Sequence, residues 1–339
     1  MTSSRTDILS LLNGNKPASP PAFSGLIHVT EEGLQREGLL LHEVHHDADK
    51  MARAAASTFK LTGIPSATLP LDLCAPAEAL GAELNFYQNG ELQFPQVKKH
   101  LFPSTAYLNE AYFKSADLAS KGRLPLVYDA ISLLKEDAGQ DVVISGMIPG
   151  PYTLLLYLVE PGGLFAEMKR EPQVVLDALS YLSAFLAKIG NVYHTSGADF
   201  ITIHEMGGSP GFIGPSKFER FVLPALRELH MNLPSPRVLS VCGNTNKSVA
   251  ALAESGADAI SVDQLNDVAA SRKVLKDTLL FGNIDPVAAL WQGDEAQVVE
   301  AVQSAKEARV DAIWPGCDMA PRTPLRNVER LIHHDFSAN

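Results

Sequence analysis

Apolar and polar residues alternate along the second half of the chain in an order that predicts strand, helix, strand, helix. Phe200-Ile201-Thr202-Ile203 reads as a short buried strand. A helix is expected from about Ser216, where Ser216 and Glu219 have capping-box spacing. Phe218, Phe221, Val222, Ala225, Leu226 and Leu229 then fall on one helical face, and Pro224 within that stretch predicts a kink. Strand 238–242, helix 247–254, strand 259–262, helix 266–274, strand 279–282, helix 295–307 and strand 311–314 follow. Strands separated by helices run parallel, because a parallel partner is reached only by a crossover.

The first half is less regular. Val44, Ala48, Met51, Ala55 and Phe59 make an apolar stripe at helical spacing, and Val142 to Ser145 reads as a strand entering a Gly/Pro-rich loop over 146–151. From Phe86 to Tyr107 the sequence is mostly polar and carries Pro95 and Pro103, the pattern of a surface excursion. No repeat, low-complexity tract or linker-like break divides the chain, so a single domain over 1–339 is expected. Alternating strands and helices suit either an open doubly wound sheet or a closed barrel. The length of 339 residues accommodates a barrel with additions. The glycine-rich phosphate fingerprint that marks a dinucleotide-binding open sheet is missing near the N-terminus. The expected fold is therefore α/β, a (β/α)8 TIM barrel with an N-terminal elaboration.

Composition narrows the class further. With 46% hydrophobic and 20% charged residues the chain can bury a large core. A net charge of −11 opposes binding to nucleic acid and to anionic membranes, so neither is expected as a partner. Three cysteines do not make a disulfide scaffold and suit a reducing, cytoplasmic setting. The first fifteen residues hold only the short apolar run Ile8–Leu12, which does not read as a signal peptide, and no stretch reads as a membrane span.

Chemistry gathers where the predicted strands end, the place where parallel barrels keep their active sites. His204 and Glu205 follow strand 200–203, Cys242 closes strand 238–242, Asp263 follows strand 259–262, Asn283 and Asp285 follow strand 279–282, and Cys317 follows strand 311–314. Taken singly, an Asp or Asn after a strand caps the next helix, and a buried Cys packs as a small hydrophobe. The succession of such ends favours a shared site. Alternation puts Thr202 and His204, Ser240 and Cys242, and Ser261 and Asp263 on the inward face, with Ile201, Ile203, Leu239, Val241, Ile260 and Val262 outward. Glu205 then points outward. His204, Cys242, Asp263 and Cys317 are expected to look at one point, and thiolates there are strong zinc ligands. His45-His46 reads as a solvated helix start, His333-His334 as an exposed tail, and Cys74 as a buried structural thiol.

The chain resembles the corrinoid-linked methyltransferases of the methylcobalamin:coenzyme M type, within the uroporphyrinogen decarboxylase superfamily. The resemblance is carried by His46-Asp47-Ala48-Asp49-Lys50-Met51-Ala52, Ala77-Glu78-Ala79-Leu80-Gly81 and Gly197-Ala198-Asp199-Phe200-Ile201-Thr202-Ile203. It continues through Cys242-Gly243-Asn244, Gly282-Asn283-Ile284-Asp285-Pro286 and Pro315-Gly316-Cys317. It implies a barrel with a zinc ion bound by a His-x-Cys pair and a distant Cys. The zinc activates a thiol such as coenzyme M, which takes a methyl group from a methylated corrinoid (methylcobalamin) held on a partner corrinoid protein.

One departure stands out: the family's His-x-Cys reads Ser240-Val241-Cys242 here, so the imidazole is missing from its place. Either the metal site is built differently or the metal is lost. On the first alternative Cys242, Cys317 and Asp263 are catalytic, and His204 or the carboxylates Glu205 and Asp263 complete the metal ligands. Glu205, Ser240, Asn283 and Asp285 are then expected to line the substrate. A tetrahydrofolate acceptor and a non-catalytic binding role are the rival readings. Porphyrin decarboxylation is disfavoured, because the family's Arg-Gln-Ala-Gly-Arg run has no counterpart between Pro20 and Arg36.

Overall fold

In the computed structural model, which describes residues 4–88, 90–114 and 117–333, the second-half alternation is realised almost as the sequence predicts. The strands are β1 (Ser66–Leu69), β2 (Leu84–Asn85), β3 (Gln96–Val97), β4 (Val143–Pro149), β5 (Phe200–Glu205), β6 (Arg237–Val241), β7 (Ala259–Val262), β8 (Leu279–Ile284) and β9 (Ala312–Pro315). Seven of them pair in parallel in the order β1-β4-β5-β6-β7-β8-β9, while β2 and β3 pair antiparallel outside that sheet. Helices cover the sheet, and the helices Arg5–Leu12, Glu31–Glu37, Leu41–Val44 and Ala48–Thr62 form the N-terminal addition.

Seven parallel strands are one fewer than the eight-stranded barrel expected. A segment outside the sheet touches both of its edges. Ile313 in β9 donates its N–H to Pro21 (2.9 Å) and accepts from Phe23 N (3.2 Å). On the other side Ser24 N donates to Ser66 Oγ at 3.0 Å, and His28 Nε2 lies 2.9 Å from the Ser66 carbonyl of β1. A single segment can meet both edges only because the sheet is curled. No regular strand forms here among the described residues for two reasons. Pro20 and Pro21 supply no N–H, and the Ser24 hydroxyl accepts from Leu26 N (3.0 Å), which bends the chain inward.

The bend delivers Phe23 into the curl. Its ring lies 5.0 Å from Trp314, 5.6 Å from Phe281 and 6.2 Å from Phe200, all edge-on, so four rings from three strands and the segment fill the interior. Gly25 follows at the point of tightest contact, where a Cβ would stand 2.4 Å from Thr202 Oγ1 and 2.7 Å from Trp314. Only glycine fits there.

Other expectations are corrected. The helix from Ser216 is broken into Pro215–Lys217, a widened π-helical turn Phe218–Val222 and the helix Leu223–Met231, and the Ser216–Glu219 capping box is not made. Pro224 has no N–H to continue the regular ladder, and Leu223 N instead reaches back to Phe218 O. The Gly/Pro-rich stretch after Ser145 is not a loop: β4 runs through it to Pro149, fully buried. Val44 belongs to a short helix separate from Ala48–Thr62, whose cap is Asp47. Between them His45 is wholly buried, 3.3 Å from Asp72, and not solvated. His333 is exposed, whereas His334 lies outside the described residues. The helix Pro172–Thr195 is long and apolar enough to cross a membrane, but Val175, Leu179, Leu182, Leu186, Ile189 and Tyr193 are buried against the rest of the fold.

Truncating Phe23 to Ala removes the central ring of this cluster. The variant should lose about 3–5 kcal/mol of stability, read as a lower midpoint in urea unfolding.

Candidate metal centre

Three strand ends deliver three soft donors to one point. His204 is the penultimate residue of β5, Cys242 follows the last residue of β6, and Cys317 lies just past the end of β9. His204 Nε2 lies 3.2 Å from Cys242 Sγ and 3.8 Å from Cys317 Sγ, and the two sulfurs are 3.3 Å apart. These three are the described His, Cys, Asp and Glu residues whose ligand atoms gather closely enough, within 4.8 Å, to hold a metal ion. The backbone explains the meeting. Gly316 presses against β7, where a Cβ would be 2.8 Å from Asp263 Cα, and its N–H donates to Ile284 O at 2.8 Å. That close approach swings Cys317 across the end of the sheet toward Cys242.

The register also explains how an imidazole reaches the cluster without a histidine on β6. His204 on β5 is the direct partner of Ser240 on β6, which in turn pairs with Ser261 on β7. A side chain displaced by one strand at the same level reaches the same point from the side. Ser240 keeps a buried hydroxyl with no hydrogen-bond partner.

The other expected residues stand around the cluster. Asp263 accepts from Gly243 N, from Leu265 N (3.0 Å) and from Asn266 Nδ2 (2.9 Å), and so holds the turn that presents Cys242. Burial pushes its carboxyl upward, against those hydrogen bonds. Glu205 points away from His204, as alternation requires. Its carboxylate accepts from Tyr152 N (3.1 Å), Thr153 Oγ1 (2.5 Å) and Gly208 N (2.8 Å), fixing the start of the helix Pro151–Leu158. Asn283 Nδ2 donates to the Asp263 and Asn266 carbonyls at 3.3 and 3.4 Å. Asp285 caps the turn Pro286–Trp291 through Val287 N and Ala288 N.

Two acids went unnoticed in the sequence. Asp318, directly after Cys317, has Oδ2 3.9 Å from His204 Nδ1 and Oδ1 2.8 Å from Ile27 N. Its adjacency to the last cysteine was the available signal. Asp72, flanked by Leu71 and Leu73, is buried and takes a two-pronged ion pair from Arg123 at 2.9 and 3.2 Å. An acid inside an apolar run was its signal. Between these two acids lies a cavity of about 630 Å³, walled also by Cys74, Tyr157, Met206 and the segment 92–100, with Lys98, Lys99 and His100 on it. Cys74 is buried, as expected, and its thiol donates to Pro95 O at 3.2 Å.

Crowding two thiols and an imidazole makes them share protons. The Cys242 thiol stabilises a thiolate on Cys317, and His204 adds to this, so Cys317 falls well below the usual thiol range against the pull of burial. Cys242 is driven up by that same partner and by burial. Burial alone would lower His204, but Cys317 and Asp318 outweigh it and raise it to about 9. Burial raises Asp318 to about 6.

The uroporphyrinogen decarboxylase family model matches residues 3–334. The chain belongs to the uroporphyrinogen decarboxylase family. It is similar to methylcobamide:CoM methyltransferase MtbA of Methanosarcina acetivorans, 29% identical over 92% of this chain and 91% of the relative. Methylcobamide:CoM methyltransferase MtaA of Methanosarcina barkeri is 28% identical over 97% and 96% of the two chains. The solved structure of a methyltransferase from Methanosarcina mazei superposes with a TM-score of 0.91 at 28% identity, covering 98% of each chain. This α/β fold with its curled parallel sheet is thus shared along nearly the whole length of that methyltransferase.

Cys317 should be the most readily alkylated thiol. At about pH 6 iodoacetamide is expected to modify it ahead of Cys242 and Cys74, as read by peptide mass mapping. His204→Ala should move its alkylation profile to higher pH, because the imidazolium partner is gone.

Proposed function

We propose that this chain moves a methyl group from a methylated corrinoid, presented by a separate corrinoid protein, to a thiol of the coenzyme M type at a zinc site formed by His204, Cys242 and Cys317. The observation that carries the reading is the three-donor cluster at the ends of β5, β6 and β9, in a chain similar over nearly its full length to methylcobamide:CoM methyltransferases. We read the curled sheet, completed by the segment 21–28, as a TIM barrel whose mouth is this end.

The donor set suits zinc. Two thiolates and an imidazole are its preferred ligands, and three protein ligands are the number found where zinc is catalytic. Zinc bound there supplies a positive charge that lowers the pKa of an acceptor thiol, so that it reacts as a thiolate near neutrality. The protein's own share is to hold the acceptor and exclude competing water. The cavity beside Asp318 is large enough for a small thiol, and Lys98 and Lys99 offer positive charge to an anionic end. In the transfer a carbon–sulfur bond forms as the cobalt–carbon bond breaks. The electron pair stays on cobalt, and the acceptor's proton is lost to solvent.

The segments following β5, β7 and β8 expose Phe212 (77%), Leu265 (57%), Val287 (45%) and Trp291 (38%). Apolar side chains on loops around an active-site mouth suit docking of a protein that must bring a large cofactor close.

Purified protein should carry close to one zinc per chain, and Cys242→Ala or Cys317→Ala should each empty the site. His204→Ala should weaken zinc by more than about 100-fold, whereas Ser240→His should retain or tighten it. Full zinc in the Cys242→Ala, Cys317→Ala double variant would overturn the assignment. With methylcobalamin and a thiol panel, the cob(I)alamin spectrum should appear. Turnover with tetrahydrofolate and with no thiol would overturn the acceptor assignment.

Zinc uptake should also release protons. At pH 7 the metal-free protein holds one proton on Cys242, driven up by Cys317 and burial, and one on His204, raised to about 9. Zinc needs both groups deprotonated, so about two protons leave on binding and apparent affinity falls as pH is lowered. Calorimetry in buffers of different ionisation enthalpy measures that number.

A further inference from the structure

The two ring nitrogens of His204 have different surroundings. Nε2 faces both sulfurs, at 3.2 and 3.8 Å. Nδ1 is buried and has no hydrogen-bond partner. A neutral imidazole carries a single proton, and a nitrogen that binds metal must be the bare one. If Nε2 is the ligand, Nδ1 holds the proton, and a buried N–H is left without an acceptor. The charged oxygen nearest to satisfying it is Asp318 Oδ2, at 3.9 Å.

We propose that Asp318 is the positioning residue that makes His204 an Nε2 ligand, by accepting a hydrogen bond from Nδ1–H while the proton stays on the ring. This rests on the zinc reading above. The carboxylate is already oriented for that role, because Oδ1 accepts from Ile27 N at 2.8 Å and leaves Oδ2 turned toward the ring. Ile27 is in turn tied down, since its carbonyl accepts from Met319 N at 2.8 Å. A hydrogen bond requires the separation of 3.9 Å to shorten by about 1 Å. A charged acceptor fixes the tautomer more firmly than a hydroxyl. The buried Ser240 hydroxyl, on the strand partner of His204, is therefore the weaker claimant.

Asparagine at position 318 separates this role from a merely structural one. Its amide oxygen can keep the Ile27 bond, but its NH2 then faces Nδ1 and favours the tautomer with the proton on Nε2, the wrong nitrogen for metal. Asp318→Asn should lower zinc affinity by about 10- to 100-fold in chelator competition, in protein whose metal-free far-UV circular dichroism matches the wild type. In histidine-labelled protein loaded with zinc, long-range 1H–15N spectra should show His204 protonated at Nδ1 in the wild type. At equal zinc concentration the share of protein with that signature should fall in Asp318→Asn, while Ser240→Ala should keep both the signature and the affinity. Wild-type zinc affinity in Asp318→Asn overturns the proposal, as does a loss seen in Ser240→Ala and not in Asp318→Asn. If wild-type protein binds no zinc at all, the zinc reading itself fails first.

Discussion

The edge-on contact of Phe23 with Trp314, ring centroids 5.0 Å apart, holds the N-terminal segment inside the curl of the sheet. Much of the site hangs from that contact. Trp314 sits on β9, whose following turn presents Cys317, while the segment that carries Phe23 goes on to Ile27, which fixes Asp318. The two flanks of the cluster are thus pinned by one apolar insertion. Burial of four rings stabilises the interior through area and ring geometry alone, which leaves the polar end of each strand free for chemistry.

At that end the balance of charge is local. The chain as a whole is acidic, yet the cluster gathers one imidazole, two thiols and Asp318 with no lysine or arginine among them. Arg123, the buried cation nearby, is committed to Asp72 and Glu78. Among the described residues the groups set against the sulfurs are His204 and Asp318, so a protonated His204 is the countercharge at hand.

Much of this was legible in the sequence. A period of two on β5 and β6 was enough to aim His204 and Cys242 at the same side and Glu205 at the other, because side-chain direction in a strand follows from position alone. Cys317 was legible as a strand-end thiol, though its approach depends on Gly316 having no side chain. Asp318 was signalled only by its adjacency to Cys317; its direction was not legible, since it lies past the strand, where a turn decides it. His45 was misread for a related reason: its burial is imposed by Asp72, from another element, and no local pattern announces it. The closing segment escaped notice because its links to β1 run through side chains, so it has no strand periodicity. Pro224 predicts a kink, and the helix accommodates it by a widened turn over Phe218–Val222.

The pairing of His204 with Ser240 across adjacent strands has one more consequence. Positions 204 and 240 stand side by side at one level of the sheet. A chain with histidine at both would offer two imidazoles to the same pair of sulfurs, and either could then be lost without leaving the cluster short of a donor. The point where the three strand ends meet is thus open to two neighbouring strands, and its nitrogen donor is not tied to one of them.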